Sequence, residues 1–207
     1  GATKQELTMA QDHSFGFSID AGDASDSAIE WSAGKALRRE IDEQVIPTID
    51  KFRLAQWAAK GTVFNIDGAL DPDTIYEQIL LANAEMDDAL VPAGNRTIYL
   101  PTKNFVLLKQ NNAFVGADSL NKAILSKGAI GEVDGAIIKK VPSSWLPEGV
   151  AFIIKHKGAT LDPVKLQNYH VRKDAQGYDG PVVEGRVYYD SFVLDTKKAG
   201  VMVGKIG

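Results

Sequence analysis

The sequence predicts an α+β protein, and three observations carry that prediction. Apolar residues recur at a spacing of four in the first third, at Ile29, Ala33, Leu37, Ile41 and Val45, which is the repeat of an amphipathic helix. Residues 180–200, GPVVEGRVYYDSFVLDTKKAG, are rich in β-branched and aromatic side chains and end in a polar turn, the chemistry of a long strand. Between these, residues 96–100 read as a short strand that Pro101 breaks, and residues 102–110 read as a helix. A strand leading straight into a helix indicates a sheet flanked by helices.

Taken in order, residues 3–20 alternate loosely, with Leu7, Met9, Phe15, Phe17 and Ile19 among polar neighbours, and predict an extended arm or one half of a hairpin. Asp23, Ser25 and Asp26 then offer caps for the long helix. Its acids, Asp23, Asp26 and Glu30, precede its bases, Lys35, Arg38 and Arg39, as the helix dipole favours. Pro47 has no N–H to donate and disfavours helix at Ile46, so the helix is expected to stop or kink there and restart. The second helix turns Ile49, Phe52, Leu54 or Ala55, and Trp57 inward and ends at Gly61. A third is capped by Asp71, carries Pro72 in its first position and aligns Ile75, Ile79, Ala82, Met86 and Leu90 before Pro92 and Gly94 end it. The helix over 102–110 buries Phe105, Val106 and either Leu107 or Leu108. Residues 118–127 read as a further helix, followed by strands over 133–141, 150–154, 164–171, 182–194 and 200–206.

The composition, 44% hydrophobic and 24% charged over 207 residues, is that of a globular protein and excludes disordered and collagen-like classes. No run of 18 apolar residues and no basic-then-apolar leader is visible. The absence of Cys excludes disulfides, thiolate metal sites and cysteine nucleophiles, and suits a reducing compartment. The net charge of −4 arises in residues 1–70, with 7 Lys/Arg against 11 Asp/Glu, because residues 71–207 hold 16 of each. That balance argues against a dedicated DNA-gripping module, though a shell that merely encloses DNA needs no basic excess. Gly1 and Ala2 read as a tag remnant or processing scar, so a missing natural amino-terminal part is expected.

Candidate chemistry is thin. His13, His156 and His170 are the histidines, and no two have the spacing of a helical zinc pair. His13 beside Ser14 is a neighbour pair in sequence without a nucleophile elbow, and its plain reading is an exposed arm. Gly128, Gly131 and Gly135 resemble a phosphate loop only loosely, lacking the Gly-Lys-Ser/Thr that would follow, and read better as turns. Asp20, Asp23 and Asp26 fall every third residue where a calcium loop needs every second. Glu85, Asp87 and Asp88 read as a solvated face near a helix end. The expectation is therefore no catalytic residues, no metal and no cofactor. Tyr188, Tyr189, Lys197 and Lys198 are expected to be packing and contact residues.

Four segments, in one order, carry a resemblance. QVIPTIDKF at 44–52 resembles the "vvPeiDayr" end of a spine helix, and TIYLPTKNFVLLKQ at 97–110 resembles a strand–Pro–helix unit. GEVDGAIIKKVPSSWLP at 131–147 resembles a "G.v.G..ii.vPs..lp" strand and turn, and residues 180–200 resemble a "veG…yy.sfVldnkk.gv" closing segment. Together they are similar to the tailed-bacteriophage major capsid protein family, the phage capsid and encapsulin shell fold. The departure is at the front, where residues 3–20 resemble only the return strand of the family's extended loop.

The resemblance implies a long spine helix, a peripheral domain with long strands and an axial domain of mixed sheet flanked by helices. It divides the chain into a loop or arm remnant at 1–20, a peripheral domain at 21–61 and 186–207, and an axial domain at 62–185. It implies copies of the chain joined as hexamers and pentamers in an icosahedral shell around phage DNA, touched non-specifically. A scaffolding segment or protein, a portal and a maturation protease are the further partners it implies, with no membrane. The location it implies is the virion capsid, assembled in the host bacterial cytoplasm. An encapsulin-like compartment enclosing an enzyme cargo is the near alternative. A small α/β hydrolase or ligand-binding domain using the acids near Glu85 and His156 is the distant one. Trp31 lies half a turn off the Ile29–Ala33–Leu37 line and either packs on a second face or meets a neighbouring subunit. Arg38, Arg39 and Glu40 are inter-subunit ion-pair candidates, against a reading as ordinary solvated charges.

Overall fold

The computed structural model describes residues 5–19, 33–116, 131–172 and 182–207. The helix expected at 118–127 and the helix start at 23–32, with Trp31, lie outside the described residues. The chain forms two compact units, residues 1–53 with 162–191 and residues 54–161 with 192–207.

The larger unit, 54–161 with 192–207, is built on a six-stranded mixed sheet. Its strands are β2 (Thr62–Ile66), β3 (Arg96–Pro101), β4 (Glu132–Val133), β5 (Ala136–Val141), β6 (Val150–His156) and β11 (Val201–Ile206), in the order β2-β11-β6-β3-β5-β4. The β11–β2 and β3–β5 pairs are parallel and the others antiparallel. Side chains alternate across each strand, so the sheet has two apolar faces. Ile98, Leu100, Ile138, Phe152, Ile154 and Met202 pack on one face against Ile75, Ile79, Ala82 and Met86 of helix α3 (Ile75–Asp88). The same face takes Phe105 and Leu108 of helix α4 (Thr102–Gln110) and Phe114 of helix α5 (Asn112–Gly116). Ile153, Val201 and Val203 pack on the other face against Leu54, Trp57 and Ala58. A central strand covered on both faces should read as continuous apolar sequence, and Val150 to Ile154 is buried throughout.

Two close approaches and one tight turn explain glycines here. A Cβ on Gly204 would lie 2.6 Å from the ring of Phe152, its cross-strand partner. One on Gly61 would lie 2.7 Å from Val203 as the chain leaves the helix for β2. The β4–β5 hairpin turns on Asp134 and Gly135 at φ 47° and 73°, the Asp-Gly pair that a two-residue turn of this hand requires. The strand expected over 133–141 is therefore two strands. A short pair, β7 (Thr160–Leu161) with β10 (Phe192–Val193), completes the unit.

In the smaller unit, 1–53 with 162–191, β1 (Gln11–Ser18) and β8 (Val164–Arg172) flank β9 (Val182–Tyr189), all antiparallel. The loose alternation of the amino-terminal stretch thus becomes a strand whose partner lies far along the chain. Helix α1 (Ala33–Glu40) runs through a π-helical turn, Ile41–Val45, into α2 (Ile46–Lys60). The stop or kink expected at Pro47 is this widened turn. Ile46 donates its N–H to the Ile41 carbonyl, five residues back, and the looser spiral accommodates a proline that breaks the ordinary ladder. The division between units falls within α2, after Arg53.

The unit boundaries differ from 20/21, 61/62 and 185/186. Residues 201–206, expected to return to a peripheral domain, form the second strand of the six-stranded sheet, because β11 pairs with both β2 and β6. Strand β2 had no sequence expectation at all. The run expected over 182–194 divides at Asp190 and Ser191, both buried and joined by a Ser191 N–H to Asp190 Oδ1 bond of 2.7 Å. Leu54 rather than Ala55 fills the core beside Trp57. Val106, expected inside, is 50% exposed, since Phe105 and Leu108 define the inward stripe of α4.

Candidate functional site

The turn that leads into helix α3 is closed by Asp71, the cap the sequence predicts, and the helix itself begins at Ile75, three residues after Pro72. Asp71 Oδ1 accepts from the N–H groups of Asp73 (3.0 Å) and Thr74 (2.8 Å) and from the Thr74 hydroxyl (2.8 Å). These bonds, chiefly the one from the Thr74 backbone, hold the Asp71 carboxyl below its ordinary range. Its end departs from expectation. Leu90 is not the last core residue of the stripe: it is 90% exposed, with φ 58°. The helix closes in a Schellman turn, in which Leu90 N–H bonds the Asp87 carbonyl at 2.8 Å and Val91 N–H bonds the Met86 carbonyl at 3.0 Å. Val91 packs on the core in place of Leu90.

Arg96, the first residue of β3, is the buried polar centre of this end. Its side chain is 0% exposed. Nε donates to the Pro92 carbonyl (3.0 Å), Nη1 to the Asn83 carbonyl (3.2 Å) and Asn83 Oδ1 (2.7 Å), and Nη2 to Asp87 Oδ1 (2.6 Å) and the Val91 carbonyl. Asn83 Nδ2 donates in turn to Asp134 Oδ2 at 2.7 Å in the β4–β5 turn. A buried guanidinium is tolerable only when its donors are met, and here every nitrogen is. Sequence reasoning assigned Arg96 no role. The available signal was a lone arginine opening a strand directly after the uncharged stretch 89–94.

The interface candidates of the spine are in view except Trp31. Arg38 lies 3.7 Å from Asp42, and Arg39 Nε bonds both Glu43 oxygens at 3.0 and 3.1 Å. These are exposed pairs one helical turn apart, each contributing about 0.3–0.5 kcal/mol. Glu40, half-buried, lines a cavity of about 160 Å³ with His13, Val45, Ile49 and Tyr189.

The histidines are spread out. His13 on β1 stacks on Tyr189 at 5.5 Å, His156 ends β6 with Nδ1 accepting from Gly158 N–H at 3.2 Å, and His170 sits on β8 opposite Glu184. No group of three or more His, Cys, Asp or Glu is placed to hold a metal ion among the described residues. Asp87 of the acidic trio is engaged with Arg96. Ser14 lies opposite Arg186 in the β1–β9 ladder, and Gly131 is pressed against Phe114. Tyr189 is buried and meets Phe52 edge-on at 5.4 Å, while burial raises its hydroxyl pKa. The Tyr188 hydroxyl bonds the Met9 carbonyl, and the Lys198 carbonyl accepts from Thr62 at 3.3 Å.

No family model matches the sequence, and no curated protein matches it. Solved structures do. A structure from Mycobacterium phage Che8 matches 94% of this chain and 70% of its own, with a TM-score of 0.73 and 23% identity. The capsid structure of cyanophage P-SCSP1u matches 100% of this chain and 78% of its own, with a TM-score of 0.74 and 15% identity. The chain has the phage major capsid protein fold. A virus-like particle from Pyrococcus furiosus matches 98% of this chain and 80% of its own, at TM-score 0.62 and 13% identity. The long helix Ala33–Lys60 and the mixed sheet flanked by helices are thus elements of a capsid fold, on the side of the α+β class that the sequence predicted.

Proposed function

We propose that the chain is a major capsid subunit, which assembles as hexamers and pentamers of itself into an icosahedral shell enclosing phage DNA. The observation that carries this reading is the likeness to capsid structures of cyanophage P-SCSP1u and bacteriophage PhiM1 along 100% and 97% of the chain, not along one motif. In this reading the six-stranded-sheet unit serves as the axial part and the β1-β9-β8 unit as the peripheral part. Arg38, Arg39 and Glu40 stay candidates for contacts between copies. In this reading the subunit is structural and not an enzyme. Scaffolding, portal and maturation-protease partners, loose contact with packaged DNA, a place in the virion capsid and assembly in the host cytoplasm belong to the same proposal. No helix among the described residues is long and apolar enough to cross a membrane.

A second reading, a compartment shell around an enzyme cargo, takes its support from the likeness to the virus-like particle from Pyrococcus furiosus. One experiment separates the two. Particles purified from cells expressing the chain's full gene neighbourhood should contain nuclease-protected DNA. Particles holding a co-encoded enzyme and no DNA would establish the second reading, and a protein that stays monomeric at high concentration would overturn both.

A further inference from the structure

We propose that the exposed lysines Lys109 and Lys140, with Lys103 nearby, form a contact face for the phosphate backbone of double-stranded DNA, bound without regard to base sequence. This rests on the shell reading and names the surface by which a subunit touches what the shell encloses. All three lysines lie within the unit 54–161 with 192–207. Residues 102–116, which span α4 and α5, hold Lys103 and Lys109 and no Asp or Glu, and residues 135–147 hold Lys139 and Lys140 and no Asp or Glu. These stretches, apart in sequence, are brought side by side because β5 pairs in parallel with β3, the strand that leads into α4. The Thr102 hydroxyl donates to the Val141 carbonyl at 3.1 Å, and the Lys103 N–H donates to Ser143 Oγ at 3.4 Å. The ammonium groups of Lys109 and Lys140 then converge on one ring, 5.1 and 6.0 Å from the centroid of Phe105. Lys139 points to the opposite face of the sheet, where it lies 5.9 Å from the Tyr99 ring.

Three exposed lysines thus share one region without a counter-ion. Among the described residues none of them pairs with a carboxylate, although α3, on the same face of the sheet, carries Glu77, Glu85, Asp87 and Asp88. A ring face attracts a cation but does not neutralise it, so two ammonium groups on one ring repel each other in the free subunit, and a polyanion removes that repulsion. The side-chain chemistry selects the anion. Lysine is a compact point charge on a flexible stem, suited to phosphate oxygens, which position a protein on DNA without reading its sequence. Phe105, 7% exposed, offers no platform on which a base could stack. Contacts between proteins are depleted in lysine, which favours a nucleic-acid backbone over an acidic protein surface. The net charge of −4 keeps the grip loose.

The test measures binding of the full chain to a fluorescent DNA duplex of about 30 base pairs over about 50–200 mM salt, at a concentration where sedimentation velocity shows it unassembled. Lys109→Gln with Lys140→Gln should weaken binding about tenfold or more at the lowest salt and reduce the slope of log affinity against log salt by about two. Lys109→Arg with Lys140→Arg, which keeps both charges, should restore affinity and slope. Lys51→Gln with Lys165→Gln, the same loss of charge in the other unit, should leave the slope unchanged. Two duplexes of unrelated sequence should bind alike. A parent that does not bind, an unchanged slope in the Lys109/Lys140 glutamine pair, an equal loss in the control pair, a strong preference for one duplex, or tighter binding to polyglutamate than to DNA would each overturn the contact face. If particles still form in that event, the shell reading stands. A chain that never assembles yet loses its slope as described overturns the shell reading and leaves the contact face in place.

Discussion

Residues 54–161 with 192–207 cover a six-stranded sheet on both faces and seal Ile98, Leu100, Ile138, Phe152, Ile153 and Ile154 completely from water, each at 0% exposure. Residues 1–53 with 162–191 gather a far smaller cluster among the described residues, Ile49, Val187 and Tyr189, edged by Phe15, Val45 and Phe52. The smaller unit leans instead on strand ladders and charge. Arg186 forms a two-pronged pair with Asp12 across β1 and β9, Arg172 meets Glu184 at 3.1 Å, and the ring of Phe15 covers Gly185, where a Cβ would lie 2.3 Å away. Apolar burial is the dominant stabilising contribution, whereas exposed ion pairs add little and are screened by salt. The difference teaches that, among the described residues, apolar burial is concentrated in the unit built on the six-stranded sheet, while strand pairing carries more of the smaller one. Ile46, Val164 and Tyr169 in the smaller unit are 44%, 47% and 56% exposed.

The comparison can be broken by substitution. The largest effect is expected from Phe152→Ala, which empties the space above Gly204 and should cost about 3–5 kcal/mol in denaturant unfolding. Arg96→Met should follow at about 3 kcal/mol, because Asn83 and two backbone carbonyls lose their donor inside the fold. Ile49→Ala in the smaller unit should cost about 2 kcal/mol, the low end for such a truncation, since a small cluster collapses around the gap. Amides of β1 should exchange with solvent well before those of β6. An Ile49→Ala cost equal to that of Phe152→Ala, with simultaneous exchange of both strands, would mean that the two units share one cooperative core.

Acid sharpens the comparison further. A hydrogen bond from Arg186, and then its charge, holds the Asp12 carboxyl below its ordinary range. A carboxyl depressed by folding stabilises the native state above its unfolded pKa, near 4, and that contribution is lost as pH falls through the folded value. Asp12→Asn should therefore be less stable than the parent at neutral pH, and the gap should close below about pH 4. A gap that persists in acid would assign Asp12 a role other than its charge. Smallest of all, Arg39→Ala should change stability by under about 0.5 kcal/mol, checked at low and high salt.

Much of the architecture was legible because it follows from local rules. The helix over 102–110 was marked by Pro101 on one side and its apolar spacing on the other, and α3 by Asp71 and Pro72. What escaped was non-local. Strand β2 is five residues long and acquires its meaning from pairing with β11, some 140 positions away in sequence. The turn at Asp134 and Gly135 splits a run that looks continuous, and the π turn before Pro47 replaces a break with a wider spiral.

The exposure of Leu90 was hidden for a related reason. Leu90 continues the i, i+3, i+4 stripe of α3 faultlessly, so periodicity alone places it in the core, and only the chain reversal at Asp88–Val91 turns it outward. Arg96 shows nothing in sequence of the five hydrogen bonds that bury it.

By itself the sequence determined the α+β class, the start of the helix over 102–110, the Asp71 turn that opens α3, the strand chemistry of 182–194, and an order of segments like that of capsid subunits, because caps, prolines and apolar periods act within a few residues. Tertiary structure decided which strands are neighbours, where one unit ends and the next begins, and which apolar side chains face water. Those depend on contacts between distant residues, whose geometry no local pattern encodes.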